Sequence, residues 1–342
     1  MQHLLSAGDL LDKEGNLAEA GYAYSLVRVY DRSAIKASKL RIKEWDYYYV
    51  TDGKVFFCVT VADIGYISMA SVSIVDCERR VFKTASAIGL LPLGKLKLPS
   101  TYERGDASIK VGKRNIRIVN DGESRRIICD YPAFHDGKTL KADITLTKPL
   151  KENMVIATPF DKRGRFYYNA KLNCMSAQGS FTYGDNTYSF SPDTSVAGLD
   201  WGRGVWTYSN TWYWSSLSCI IDGERVGFNL GYGFGNTSAA SENMLFVGDK
   251  AHKLGRVDFG ISGDAEGKPD FLSPWHFTDD EGRLDLIFKP DVDRRDRVSL
   301  GIITTDQHQV FGRFYGTAVC DDGSTITFDG QRGFAEKVFN AW

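Results

Sequence analysis

Residues 45–66 read WDYYYVTDGKVFFCVTVADIGY, and residues 212–232 read WYWSSLSCIIDGERVGFNLGY. Each is an aromatic run opened by tryptophan, followed by an Asp-Gly pair, a second strand-like run and a closing Gly-Tyr. Asp-Gly accepts the positive φ angles of a tight hairpin, so each stretch predicts two antiparallel strands joined by a short turn. Four more Asp-Gly pairs, at 121–122, 136–137, 322–323 and 329–330, punctuate runs such as RNIRIV, TLKADITLT and VFGRFYGTAVC. Helical periodicity is confined to SAIKASKLRIKEW at 33–45, which reads equally well as an extended basic edge. The chain is predicted to be mostly β. The two quoted hairpins lie 167 residues apart in a chain of 342. A repeat at that spacing gives each half the length of an eight-stranded up-and-down barrel, a size that holds one small ligand. Two antiparallel barrels packed in tandem are expected, over 1–190 and 191–342, with the junction in the polar stretch GDNTYSFSPDTS at 184–195.

Composition excludes several classes of function. With 42 basic and 43 acidic residues the net charge is −1, so no global field draws in nucleic acid or anionic lipid. The six cysteines are scattered, with no CxxC pair and no Cys/His cluster, and read as small buried hydrophobes in a reducing compartment. No metal site is expected. The opening MQHLLSAGDLLDKEGNL meets acids before any apolar run long enough for a leader, and no window suits a membrane span. A cytoplasmic location is the expectation, and the oligomeric state is left open.

Chemistry is concentrated in AGLDWGRGVWTYSNTWYWSS at 197–216, which holds four of the seven tryptophans. Strand alternation puts Trp212 and Trp214 on one face, a flat wall suited to a conjugated ligand or a sugar ring. Trp201 and Trp206 complete the cluster. Its bland alternative is a tryptophan-rich barrel core. Asp200 and Arg203 are open to two readings as well. One is a structural ion pair; the other is a proton-transfer carboxyl beside a guanidinium that orients substrate.

Further along, NLGYGFGNTSAASENMLF has the wrong glycine spacing and context for a dinucleotide loop, so no nucleotide cofactor is expected. Glu242 is a candidate second acid, with Asn243 as its hydrogen-bonding neighbour; the alternative is a loop residue or turn cap. None of the five histidines has the close spacing of a metal pair. His308, opening the strand-like run after DQ, is a candidate acid/base partner. His135-Asp136 is explained by its hairpin tip. The basic run from Arg32 to Lys43 reads as a solvated face, and the lack of a GxSxG elbow disfavours covalent hydrolysis.

Several blocks together resemble a bacterial family, domain of unknown function 2804: RIKEWDYYYV, DYPAFHDGKTLKADITL, TPFDKRGRFYYNAKLNCM, GLDWGRGVWTYSNTWYW, GFNLGYGFGNTSAASENMLF, DQHQVFG and GFAEKVFNAW. The resemblance spans nearly the whole chain. The β-rich pattern is similar to lipocalin-like two-barrel proteins, which include carotenoid hydratases and some pericyclic-reaction enzymes. Those carry an acid shortly before a Trp-Gly near the start of their second half, loosely like Asp200-Trp201-Gly202. The resemblance implies two lipocalin-like barrels. The functional expectation is a cofactor-independent acid/base enzyme, a lyase, hydratase or isomerase, acting on a small, partly hydrophobic molecule. Asp200, Glu242 and His308 are its candidate catalytic groups; Trp201, Arg203, Trp206, Trp212, Trp214 and Asn243 are its candidate ligand contacts. Two alternatives are a carrier of a lipid-like ligand and a carbohydrate-processing enzyme.

Overall fold

The computed structural model describes residues 2–263, 266–300 and 303–342. Strand accounts for 62% of the chain and helix for 2%. The first curled sheet is built on β1 (Lys43–Thr51), β2 (Val55–Asp63), β3 (Ile67–Asp76), β4 (Val81–Leu90), β5 (Ala107–Val111), β6 (Arg114–Asn120), β7 (Ser124–His135), β8 (Lys138–Thr147), β9 (Phe166–Tyr183) and β10 (Val196–Val205). The second is built on β11 (Ser209–Ile221), β12 (Glu224–Tyr232), β13 (Met244–Val247), β14 (Lys250–Lys253), β15 (Val257–Asp258), β16 (Trp275–Asp279), β17 (Leu284–Leu300), β18 (Ile303–Val319) and β19 (Thr325–Ala341).

Both sheets follow one topology. The order is β4-β3-β2-β1-β10-β9-β8-β7-β6-β5 in the first and β14-β13-β12-β11-β19-β18-β17-β16-β15 in the second. In each, the first strand pairs with its hairpin partner on one side and with the last strand of its sheet on the other. Each sheet curls into a nearly closed or half-barrel form, consistent with a tandem two-barrel fold. The two hairpins read from the sequence, β1–β2 and β11–β12, occupy equivalent places in it.

Five of the six Asp-Gly pairs sit at hairpin turns, and Asp136-Gly137 and Asp222-Gly223 have positive φ at both positions. The sixth lies inside β19, where Gly330 (φ +88°) marks a register shift against β18. The stretch 33–45 is not one helix. It forms two single 3₁₀ turns, Arg32–Ala34 and Lys39–Arg41, and then enters β1. The last strand of the first sheet runs to Val205, so the chain passes between sheets at 206–208, beyond the polar segment expected to hold the junction. That segment instead forms a short strand, Asn186–Phe190, paired to β9. Polar turn chemistry marks a loop without telling which sheet the next strand joins.

Each barrel is filled by its own apolar side chains. One core gathers residues such as Phe57, Tyr131, Phe166 and Trp201; the other gathers Phe228, Trp275, Phe288 and Phe314. A third cluster, with Tyr47, Tyr49, Phe56, Trp214, Phe311 and Phe334, joins the outer faces of the two sheets. There the equivalent hairpins touch: Tyr49 and Ser216, 167 positions apart, share a hydrogen bond of 3.0 Å. All six cysteines are unpaired, and among the described residues no helix is long and apolar enough to cross a membrane.

Candidate functional site between the barrels

A cavity of about 590 Å³ opens between the two barrels, not inside either. Two facing ladder rows build it. In the first sheet, Lys171, Asp200, Tyr47, Thr60, Ser71 and Ser86 lie directly opposite one another on successive strands. In the second sheet, the row runs Gly231, Trp214, Glu336, Gln309 and Arg294. Residues two positions away share the same face. Trp45 and Trp212 thereby join the wall, with Trp206, Trp342 and Phe234 closing one end. Trp206 packs edge-on to Trp45 at 5.4 Å and against Trp342 at 5.6 Å.

Asp200 is held by three donors: Trp45 Nε1 at 3.0 Å, Asn169 Nδ2 at 2.6 Å and Lys171 Nζ at 2.9 Å. Lys171 also lies over the Trp214 ring, 3.8 Å from its centroid, so the one ammonium serves the carboxylate and the indole face together. Glu336 accepts from Trp212 Nε1 at 3.0 Å and from Gln309 Nε2 at 2.9 Å. Burial pushes its carboxyl up to about 7, against the pull of the Trp212 hydrogen bond and of Lys171 and Arg294. Glu242 borders the cavity and is half-buried. Burial raises its carboxyl too, with Lys171 and a 3.2 Å bond from Asn229 opposing. Gly231 leaves the space Glu242 occupies, since a Cβ there would run into that carboxylate. Asp200, Glu242, Glu336 and Lys171 therefore share a single aromatic cavity.

Of the residues singled out from the sequence, Asp200, Glu242, Trp206, Trp212 and Trp214 border the cavity. The other four lie elsewhere. Trp201 and Arg203 alternate with Asp200 and Gly202 along β10, so they point into the first barrel. Trp201 packs edge-on to Tyr30, Tyr102 and Tyr168. Arg203 is fully buried; it pairs with Asp46 at 3.0 Å and donates to the carbonyls of Trp45, Gly202 and Pro99. Asp200 and Arg203 are thus not a pair: three positions apart on a strand, they face opposite sides. Asn243 lies behind the wall, accepting from Gly231 N at 2.6 Å and donating to Gly255 O at 2.8 Å. His308 sits on the face of β18 opposite Gln307 and Gln309, bonded to Asp293 at 2.7 Å and stacked on Phe271. It does not meet Asp200.

Lys171, Glu336, Arg294, Trp45 and Trp342 were not singled out from the sequence. A usable signal existed for two of them. Glu336 lies between Phe334 and Val338 on its own face of β19, and Lys171 lies within RFYYNAKLNCM. A charge embedded in a strand's buried face needs a partner across a boundary. Gly202 is explained by the wall as well, because the Trp45 ring covers it and leaves no room for a Cβ. Gly202→Ala is expected to cost about 1–3 kcal/mol through displacement of that indole. Thermal unfolding checks this, and an unchanged melting temperature would contradict it.

Fold and cleft together define a tandem two-barrel all-β protein with its polar cavity at the barrel–barrel contact. The chain belongs to the family described as domain of unknown function (DUF2804), which matches residues 2–342. Two solved structures share the fold. Kievitone hydratase from Nectria haematococca is 13% identical at a TM-score of 0.56, covering 98% of each chain. CghA in complex with Sch210972 is 9% identical at 0.53, covering 98% of this chain and 97% of that one. No curated protein matches the sequence.

Proposed function

We propose that the cleft is the active site of an acid/base enzyme that adds water to, removes water from, or isomerises a small, partly hydrophobic conjugated molecule. One observation carries the reading: a carboxyl that burial holds protonated to near pH 7, Glu336, faces the same tryptophan-walled cavity as the Asp200–Lys171 pair. A general acid works best when its proton affinity matches the working pH. In a hydration, Glu336 gives its proton to the carbon or carbonyl oxygen of the conjugated system. Water adds its hydroxyl to the other end, and its remaining proton passes to Asp200. Exchange with solvent then returns Glu336 to its acid form and Asp200 to its base form. Lys171 holds Asp200 in place, Glu242 supplies a second acid, and the indoles stack on the conjugated frame. The likeness of fold to kievitone hydratase, a hydratase by name, supports water addition.

The test is a panel of conjugated enones, alkenes and aryl glycosides incubated with the purified protein, with products followed by mass spectrometry. A gain or loss of water, or deuterium uptake in heavy water, is expected. Asp200→Asn and Glu336→Gln should each lower kcat by about a hundredfold or more while ligand affinity changes little. Turnover that survives both substitutions would overturn the assignment. Binding without turnover across the panel would favour a carrier, and glycoside cleavage would favour the carbohydrate reading.

A further inference from the structure

We propose that Arg294 recognises an anionic oxygen on the substrate, so that the cleft takes small aromatic or conjugated acids. This rests on the cavity being a binding site, as in the preceding reading. Charge pairing around the cavity singles Arg294 out. Lys83 is paired with Asp136, Lys171 with Asp200, and Arg295 with Asp306. Among the described residues, Arg294 has no carboxylate within 4.0 Å. Its guanidinium donates to two neutral acceptors, from Nη1 to Ser73 Oγ at 2.7 Å and from Nη2 to Gln309 Oε1 at 2.6 Å. Its Nε is buried with no partner at all. A guanidinium carries five N–H donors, so most of its capacity is unspent.

A half-buried cation with spare donors and no counter-ion favours an anion, and its planar fork fits a carboxylate. Position adds to the case. Gln309 accepts from Arg294 and donates to Glu336 Oε2 at 2.9 Å, so a single side chain spans the anion subsite and the proposed proton donor. Arg294 also ends the second sheet's row and reaches across to Ser73 of the first, so a ligand held there contacts both barrels. A substrate anchored at Arg294 would extend its conjugated frame along the row, past Glu336, toward Trp214.

Two probes with one frame test this: 8-anilinonaphthalene-1-sulfonate and N-phenyl-1-naphthylamine, which differ by the sulfonate. Affinities are read from probe emission and tryptophan quenching. The anionic probe should bind the wild type about ten- to a hundredfold more tightly than the neutral one, the range of a charge-assisted hydrogen bond. Arg294→Met should erase that difference and leave the neutral probe's affinity unchanged, which also shows an intact cavity. Arg294→Lys should retain part of the difference. Ser73→Ala, which removes the contact between barrels but no charge, should retain all of it. Equal binding of both probes by the wild type, or equal weakening of both by Arg294→Met, would overturn the anion assignment and leave the cavity reading standing. Failure of both probes to bind the wild type would remove the cavity reading, and this inference with it.

Discussion

Arg203→Met is expected to destabilise the protein by about 3–5 kcal/mol, the range for removing one partner of a buried ion pair. Arg203 is fully buried, and its guanidinium faces the Asp46 carboxylate and three carbonyls. Burial raises the Asp46 carboxyl, and Arg203 is the main group pulling it back down. Methionine fills much of the volume, yet it leaves an acid and three carbonyl oxygens without their donor. Asp46 must then take up a proton or stay charged in an apolar wall, and either outcome weakens the fold. Urea unfolding measures the loss. The companion variant Arg203→Met/Asp46→Leu should recover part of it, since the Asp46 carboxylate is then no longer left without its partner. A cost below about 1 kcal/mol for Arg203→Met would mean that the pair is solvated and dispensable. The folded variant should keep its affinity for N-phenyl-1-naphthylamine, because Arg203 lies on the far side of β10 from the cavity.

That separation shows what a sequence can and cannot display. Hairpins are local, so Asp-Gly between two strand-like runs identified β1–β2 and β11–β12 correctly. Alternation is local too, and it placed Trp212 and Trp214 on one wall. The same rule applied to Asp200 and Arg203 would have parted them, since an offset of three reverses the face of a strand. Their proximity in sequence suggested partnership. Cross-strand register decided otherwise, pairing Asp200 with Lys171 and leaving Arg203 to Asp46. Register between strands distant in sequence is not written in any short window. Nor is the choice of which outer faces meet. Lys171, Glu336 and Arg294 become one constellation only because the two barrels pack through β1, β11, β18 and β19. An expectation of ligand inside a barrel was natural for a chain of this length, but Trp201, Phe57 and Tyr131 fill the first barrel and Phe228, Trp275 and Phe314 the second. The polar residues that could not enter those cores were left to line the contact between them.

Glu336 gives that arrangement a measurable signature, because its proton affinity changes on folding. A glutamate titrates at about 4.5 in the unfolded chain and at about 7 here. Below pH 4.5 the group is protonated in both states, and its contribution to stability is fully present. As the pH rises the unfolded chain ionises first, which favours unfolding, and the contribution is lost as pH passes through the folded value near 7. The difference of 2.5 pH units at about 1.4 kcal/mol each amounts to about 3.5 kcal/mol, of which about 3 kcal/mol is lost between pH 4.5 and pH 8. Glu242, raised by the same burial, adds to the loss in the same direction. Acids such as Asp136, which its partners hold down to about 2, contribute with the opposite sign at lower pH. Total stability therefore mixes many groups, and the informative quantity is a difference. Glu336→Gln is neutral at every pH and keeps the shape, so the stability of wild type minus variant should fall by about 3 kcal/mol across that window. Urea unfolding of both proteins at half-unit pH steps gives the curve. A flat difference would show that Glu336 ionises as freely in the folded protein as in the unfolded chain. It would then hold no proton near neutrality, and the general-acid role would go with it.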